Sequence, residues 1–201
     1  QGGIDVAPRL RVDMNTMQRY LTSIGAELEQ PPRDAALSLA AGRVLPTPAQ
    51  PGRQVLVDET IIDIMRAVQH LTPQSIALRT RSLDPALGDD EIAGAVDDAR
   101  AILAQPLLMR EGDRSWTWEA ERLAEIVTLQ VVDGRMVADL DEERLARAVE
   151  KLAQLVDSPS VEPRITFRNG RLQIAEEGRI GLRLDQAAAV TEIRAALRFG
   201  R

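Results

Sequence analysis

Apolar residues recur from Met17 through Leu21 and Ile24 to Leu28, and again from Leu145 through Val149 and Leu152 to Val156. The spacing of four, three and four residues puts each set on one stripe of a 3.6-residue helix. Asp13 and Asp141 precede the stripes, where a carboxylate caps free N–H groups and complements the helix dipole. The two patterns lie 128 residues apart (141 − 13), and the offset holds without a gap as far as Gly42-Arg43 and Gly170-Arg171. Along it Pro31 meets Pro159, Asp34 meets Glu162, and Leu37 and Leu39 meet Ile165 and Phe167. That alternation predicts a half-buried strand in each copy. Asn169-Gly170, flanked by alternating residues, predicts a hairpin, because both tolerate the positive φ of a type I′ turn. With one extra residue assigned to the first copy, Val55–Asp58 meets Leu182–Asp185, a short strand running into an Asp-capped helix. Ile61, Ile62, Met65 and Val68 carry the apolar positions of that helix in one copy, and Ala189, Val190, Ile193 and Leu197 in the other. Each copy reads helix, hairpin, strand, helix, the mark of an internal repeat.

Between the copies, Ser75–Arg81 alternates like a strand, and Asp89-Asp90-Glu91 opens a helix with Ile92, Val96, Ala99 and Leu103 on one face. Pro106–Arg110 and Arg114–Trp118 read as a hairpin, followed by a short helix from Glu119 to Ile126. Thr128–Val132 and Arg135–Leu140 flank Asp133-Gly134, a third hairpin signal. Ile4–Val12 is similar to Thr128–Leu140, the approach to the second copy. The predicted fold class is α+β, a tandem repeat of helix–hairpin–strand–helix units with mixed or antiparallel sheets. Residues 1–72 form the second half of a first repeat and residues 73–201 a complete one. No stretch is long, Gly/Ser-rich or of low complexity, so no flexible linker is expected.

Composition narrows the chemistry. Among 201 residues only 2% are aromatic, so the core must be built from Leu, Ile, Val and Ala. The net charge of −6 disfavours nucleic acid, whose binding needs a basic surface to release counterions. No apolar run approaches the roughly 20 residues of a membrane span. There is no cysteine, which removes disulfides, thiolate metal sites and a thiol nucleophile. The chain opens Gln-Gly-Gly without an initiator Met, which reads as a piece of a longer protein. Nothing in the sequence calls for a cofactor, and a monomer is expected.

The residues then take on a family likeness. Arg110-Glu111-Gly112-Asp113-Arg114-Ser115-Trp116-Thr117-Trp118, followed by Leu140-Asp141, Pro159, Asn169-Gly170, Gly178 and Gly181-Leu182-Arg183-Leu184-Asp185, resembles the peptidoglycan-binding repeat of VanW-family (YoaR-like) surface proteins. The same repeat precedes the catalytic domain of some bacterial L,D-transpeptidases. The likeness spans residues 73–201 as a full repeat and 1–72 as the second half of another. It implies an extracytoplasmic module at the bacterial cell surface, in a membrane-anchored parent chain, with the distinctive activity in a C-terminal domain outside this sequence.

Catalytic candidates are few. A transpeptidase of that class needs a Cys nucleophile and a neighbouring His; there is no Cys, and the one His, His70, falls near a helix end where the dipole favours it. A zinc site would need mostly carboxylate ligands, and no metal ligand is assigned. The acidic clusters Asp89-Asp90-Glu91, Asp97-Asp98, Asp141-Glu142-Glu143 and Glu176-Glu177 suit helix starts and helix surfaces better than a glycosidase pair. No phosphate loop or nucleophile elbow occurs. For binding, Trp116 and Trp118 lie two apart on a strand and so share a face. There they serve as a core anchor or stack on a sugar. Arg114, Arg168, Arg171 and Arg179 lie where they reach peptide-stem carboxylates or simply meet solvent. The candidate ligand contacts are therefore Trp116, Trp118 and Arg114. The expected function is a non-catalytic peptidoglycan-binding module; the alternative is a structural spacer or protein-interaction module with no glycan affinity. A carboxylate-based hydrolase is the third reading.

Overall fold

A computed structural model describes residues 11–69, 75–168 and 170–199. His70, the residues of the N-terminal stretch up to Leu10, and Asn169 of the hairpin turn lie outside that set. The chain divides into two compact units: the chain up to Ala35 with Pro48–Gly88, and Ala36–Thr47 with the chain from Asp89 onward.

The first unit holds α1 (Met14–Leu28), β3 (Gly52–Val55), α2 (Val57–Gln69) and β4 (Thr80–Leu83). Asp13 caps α1 as expected, its carboxylate accepting the Thr16 N–H at 3.1 Å. The core here is small. Of the α1 stripe only Leu21 is fully buried, joined by Gly25. A Cβ at Gly25 would stand 3.5 Å from Val55 Cβ, ordinary van der Waals contact, so this face of α1 lies directly against β3. The strand expected over Ser75–Arg81 falls later: β4 begins at Thr80 and pairs antiparallel with β3, Val55 opposite Thr80. Asp58 sits inside the first turn of α2, so the helix starts one residue before the expected cap.

The second unit is built round α3 (Asp89–Leu103) and α5 (Glu142–Val156). Hairpins β1–β2 (Ala36–Ala40, Arg43–Thr47), β5–β6 (Leu107–Glu111, Arg114–Trp118) and β7–β8 (Val127–Val132, Arg135–Leu140) join them, with α4 (Ala120–Glu125) between the last two. The chain ends in β9–β10 (Arg164–Arg168, Arg171–Glu176) and α6 (Gln186–Phe199). All five strand pairs among the described residues are antiparallel. Ile92, Val96, Ala99 and Leu103 of α3 are buried together, as the periodicity requires, and so are Leu145, Val149, Leu152 and Val156 of α5. Asp141 caps α5 through the Arg144 N–H at 2.9 Å. Asp133 and Gly134 take φ of 50° and 76°, and Ala41 and Gly42 take 48° and 68°, the left-handed pair that a two-residue hairpin demands.

Two expectations for the second copy are corrected. The first is the register after the hairpin. Strands β1 and β2 pair in step from Ala40↔Arg43 to Ala36↔Thr47. Strands β9 and β10 do the same until Ile165↔Ile174, then pass a bulge so that Arg164 meets Glu176. The extra residue thus belongs to the second copy, and beyond it the offset is 129 (184 − 55). Glu29 accepts the Val55 N–H at 3.1 Å, and its counterpart Asp157 accepts that of Leu184 at 2.7 Å. The Thr60 N–H reaches Leu56 O, and the Ala189 N–H reaches Asp185 O. Sliding a strand by two residues preserves which side chains face inward, so apolar alternation alone could not detect the error.

The second correction concerns burial. Leu37 is 8% exposed, but Ile165 and Phe167, at the same repeat positions, are 59% and 70% exposed. No half-buried strand forms there. Likewise Leu182–Asp185 yields no strand, only the bridge Ser158↔Leu182.

Candidate functional site

The second unit carries a cleft of about 330 Å³ where β5, β6, the end of α5 and the start of α6 meet. Its walls are mostly apolar, from Met109, Trp116, Leu152, Val156, Leu184 and Ile193. Charged side chains of both signs border it: Arg110, Arg183, Glu111, Asp185 and Glu192. An apolar trough with a few polar groups at its edge is the usual form of a ligand site.

Of the three candidate contacts, Trp116 alone lines this cleft. It is half-buried, pairs across the hairpin with Met109, and carries the Arg114 guanidinium 4.9 Å from its ring centroid. Arg114 also donates to Val156 O at 3.2 Å and to Leu155 O, the last carbonyls of α5. A cation at a helix C-terminus satisfies orphan carbonyls and complements the dipole. Arg114 is therefore committed to fixing Trp116 against the end of α5. Trp118 shares the inward face of β6 but is only 7% exposed, with the Arg122 guanidinium 5.9 Å from its centroid. Its ring has no free face to offer a sugar, and it packs into the core. Arg179 lies on the Val161 bridge, away from the cleft lining.

The cleft has a counterpart in the first unit, where Arg79 of the chain itself occupies part of it, beside an open cavity of about 640 Å³ lined by Asp63 and Ser75–Thr80. Leu56 N donates to Arg79 O at 2.8 Å, and the Thr60 hydroxyl accepts the Arg79 N–H at 3.0 Å. Asp63 pairs with the Arg79 side chain at 2.6 Å. That hydrogen bond holds the Asp63 carboxyl below the usual carboxylate range, helped by the Arg79 and Arg66 charges. At the offset of 129, Leu56, Thr60 and Asp63 correspond to Asp185, Ala189 and Glu192, and all three line the cleft. A slot that takes extended polypeptide in one unit stands open in the other. Sequence reasoning missed a site role for Glu192 and Asp185 because the first reads as ordinary helix surface and the second as a helix cap. Only the corrected register ties them to Asp63 and Leu56.

Three of the four acidic clusters serve the helices, and the fourth, Glu176-Glu177, lies at the end of β10. Asp89, Asp90 and Glu91 occupy the first turn of α3, Glu142 and Glu143 that of α5, and Asp97 pairs with Arg100 at 3.8 Å. Among the described residues no group of three or more His, Asp or Glu side chains is placed to hold a metal ion, and no helix is long and apolar enough to cross a membrane.

The arrangement is that of a repeated α+β module with an open apolar trough. The chain matches the family model described as "Putative peptidoglycan binding domain" over residues 1–77 and 118–201, one stretch for each copy of the repeat. It belongs to that family, whose description is of a binding module.

Among curated proteins it is similar to the isopentenyl-diphosphate delta-isomerase of Listeria monocytogenes serotype 4b (strain CLIP80459), 30% identical over 119 residues, 57% of this chain and 31% of the relative. It is also similar to the cladofulvin cluster transcriptional coactivator claA of Passalora fulva, 29% identical over 140 residues, 69% of this chain and 32% of the relative. The chain spans about a third of the length of these relatives, and their two names share no chemistry. No solved structure matches it significantly.

Proposed function

We propose that the module binds peptidoglycan through its peptide stem, laid into the Trp116 cleft. The observation that carries this reading is the open slot itself, whose counterpart in the first unit is shaped round an extended stretch of chain at Arg79. A peptide stem is extended, apolar at its alanines, and bears both carboxylates and an amine. Arg110 and Arg183 suit the carboxylates, Glu192 and Glu111 suit the amine, and the Trp116 wall suits the methyl groups. Family membership supports the same partner.

The finer picture follows the family likeness. The module is non-catalytic and extracytoplasmic. It spaces or anchors a C-terminal VanW or L,D-transpeptidase domain at the cell wall of a membrane-anchored parent, as a monomer. Residues 1–72 are the second half of one repeat and 73–201 a full repeat.

Pull-down on purified sacculi tests the binding. The chain should be retained, and Arg183→Glu with Glu192→Lys should lower retention at least about tenfold while leaving the circular dichroism unchanged. Retention no higher than that of an inert acidic protein would sink the reading. A second reading then takes over, a spacer or protein-interaction module with no glycan affinity. It is favoured by the fact that Arg79 of the same chain occupies the corresponding position in the first unit.

A further inference from the structure

The β9–β10 hairpin presents four apolar side chains on one face. Phe167 stands opposite Leu172 and Ile165 opposite Ile174, and alternation along each strand turns all four the same way. They are 70%, 74%, 59% and 67% exposed. A cross-strand quartet of this size left in water is the mark of a surface that docks something.

The chain itself shows what covers such a hairpin. β1–β2 is the same element 128 residues earlier, and within the second unit it lies on α3 and α4. Leu37 is buried there and Leu39 half-buried. At the tip, a Cβ on Gly42 would stand 2.8 Å from Glu121 N and 2.9 Å from Ala120 Cβ, so the turn presses on the start of α4. A Cβ on Gly170, the equivalent residue, would meet nothing within 4 Å. In the first unit, Asp34 also holds the loop before α3, accepting Ala86 N–H at 2.7 Å and Leu87 N–H at 3.1 Å. Its equivalent, Glu162, is exposed and makes no hydrogen bond or ion pair among the described residues.

We propose that the β9–β10 face is the male half of a repeat-to-repeat joint, and that its occupant is the helical seat of a further unit built like α3–α4. A second copy of this chain does not fit the role, because its own α3–α4 seat is already filled by its own β1–β2. The seat is specific in chemistry: an aliphatic and small-residue helix face, as on α3, with a helix N-terminus that receives the turn glycine.

The test appends to Phe199 this chain's own residues 71–140, which follow the equivalent point of α2 in the first copy. Amide exchange over residues 164–176 should slow at least about tenfold in the extended chain, and the appended α3 and α4 should be protected as strongly as the originals. Phe167→Ser with Leu172→Ser should abolish the slowing and leave the original α3 protected. Protection of the appended helices with hairpin exchange unchanged would overturn the proposal. So would failure of the appended segment to gain protection, since β1–β2 supports its own seat. Concentration-dependent protection of the hairpin in the unextended chain, with a dimer in sedimentation, would assign the face to a second copy and also overturn it. The joint and peptidoglycan binding fail separately, because retention on sacculi is read on the unextended chain.

Discussion

Leu37 and Ile165 occupy one position of the repeat, yet the structure assigns them opposite energetic weights. Leu37→Ala removes three buried carbon atoms from a side chain that is 8% exposed, between the hairpin and the α3–α4 layer. Large-to-small changes of this kind cost about 2–5 kcal/mol, and a site at the margin of the core belongs at about 2–3. Ile165→Ala removes atoms already 59% exposed, and such surface changes stay within about 0.5 kcal/mol. Urea denaturation read by tryptophan fluorescence separates them, because Trp116, Trp118 and both hairpins belong to the same unit. With an m-value of about 1.5 kcal/mol/M, Leu37→Ala should lower the midpoint by about 1.3–2 M, and Ile165→Ala by less than about 0.4 M. Equal shifts would mean that β9–β10 is covered in the isolated chain. That result would refute the assignment of Ile165 to the solvent-exposed surface.

Further outcomes follow from other sites. Gly42→Ala should destabilise the second unit well beyond the roughly 1 kcal/mol of left-handed strain, because its Cβ collides with α4 backbone, whereas Gly170→Ala should cost only that strain; thermal melts of the two variants decide it. Arg114→Met should cost about 1–2 kcal/mol by exposing the α5 carbonyls, and should shift the Trp116 emission as the ring loses its stacked cation. Asp63 is held below the usual carboxylate range by Arg79. Burial pushes Asp139 up, but hydrogen bonds from Arg198 and the Leu140 N–H outweigh it, so its carboxyl also lies low. A depressed folded-state value means that the stabilisation is complete above the ordinary carboxylate pKa and drains away as pH falls through the depressed one. Denaturation midpoints measured from pH 6 to pH 2 should therefore fall below about pH 5, less steeply in Asp63→Asn and Asp139→Asn.

Much of this protein was legible in its sequence. The helical stripes, the caps Asp13 and Asp141, and the turn at Asp133-Gly134 are local matters of period and φ, and a chain carries them wherever it folds. The repeat was legible too, because the apolar spacing, the prolines and the glycines recur in step. Three things were decided only by tertiary structure. The register after the hairpin rests on a bulge between Ile174 and Glu176, and a two-residue slide leaves strand alternation intact. The fate of a repeated side chain depends on its neighbours rather than its letter: Leu37 meets α3 and α4 and is buried, and Phe167 meets solvent. The separation of Trp116 from Trp118 is of the same kind. Both rings turn to the same side of β6, but only Trp116 lies where the end of α5 and the start of α6 leave a gap. Pattern along a chain fixes which face turns inward. What stands against that face is set by parts distant in sequence, and that is where burial and binding are decided.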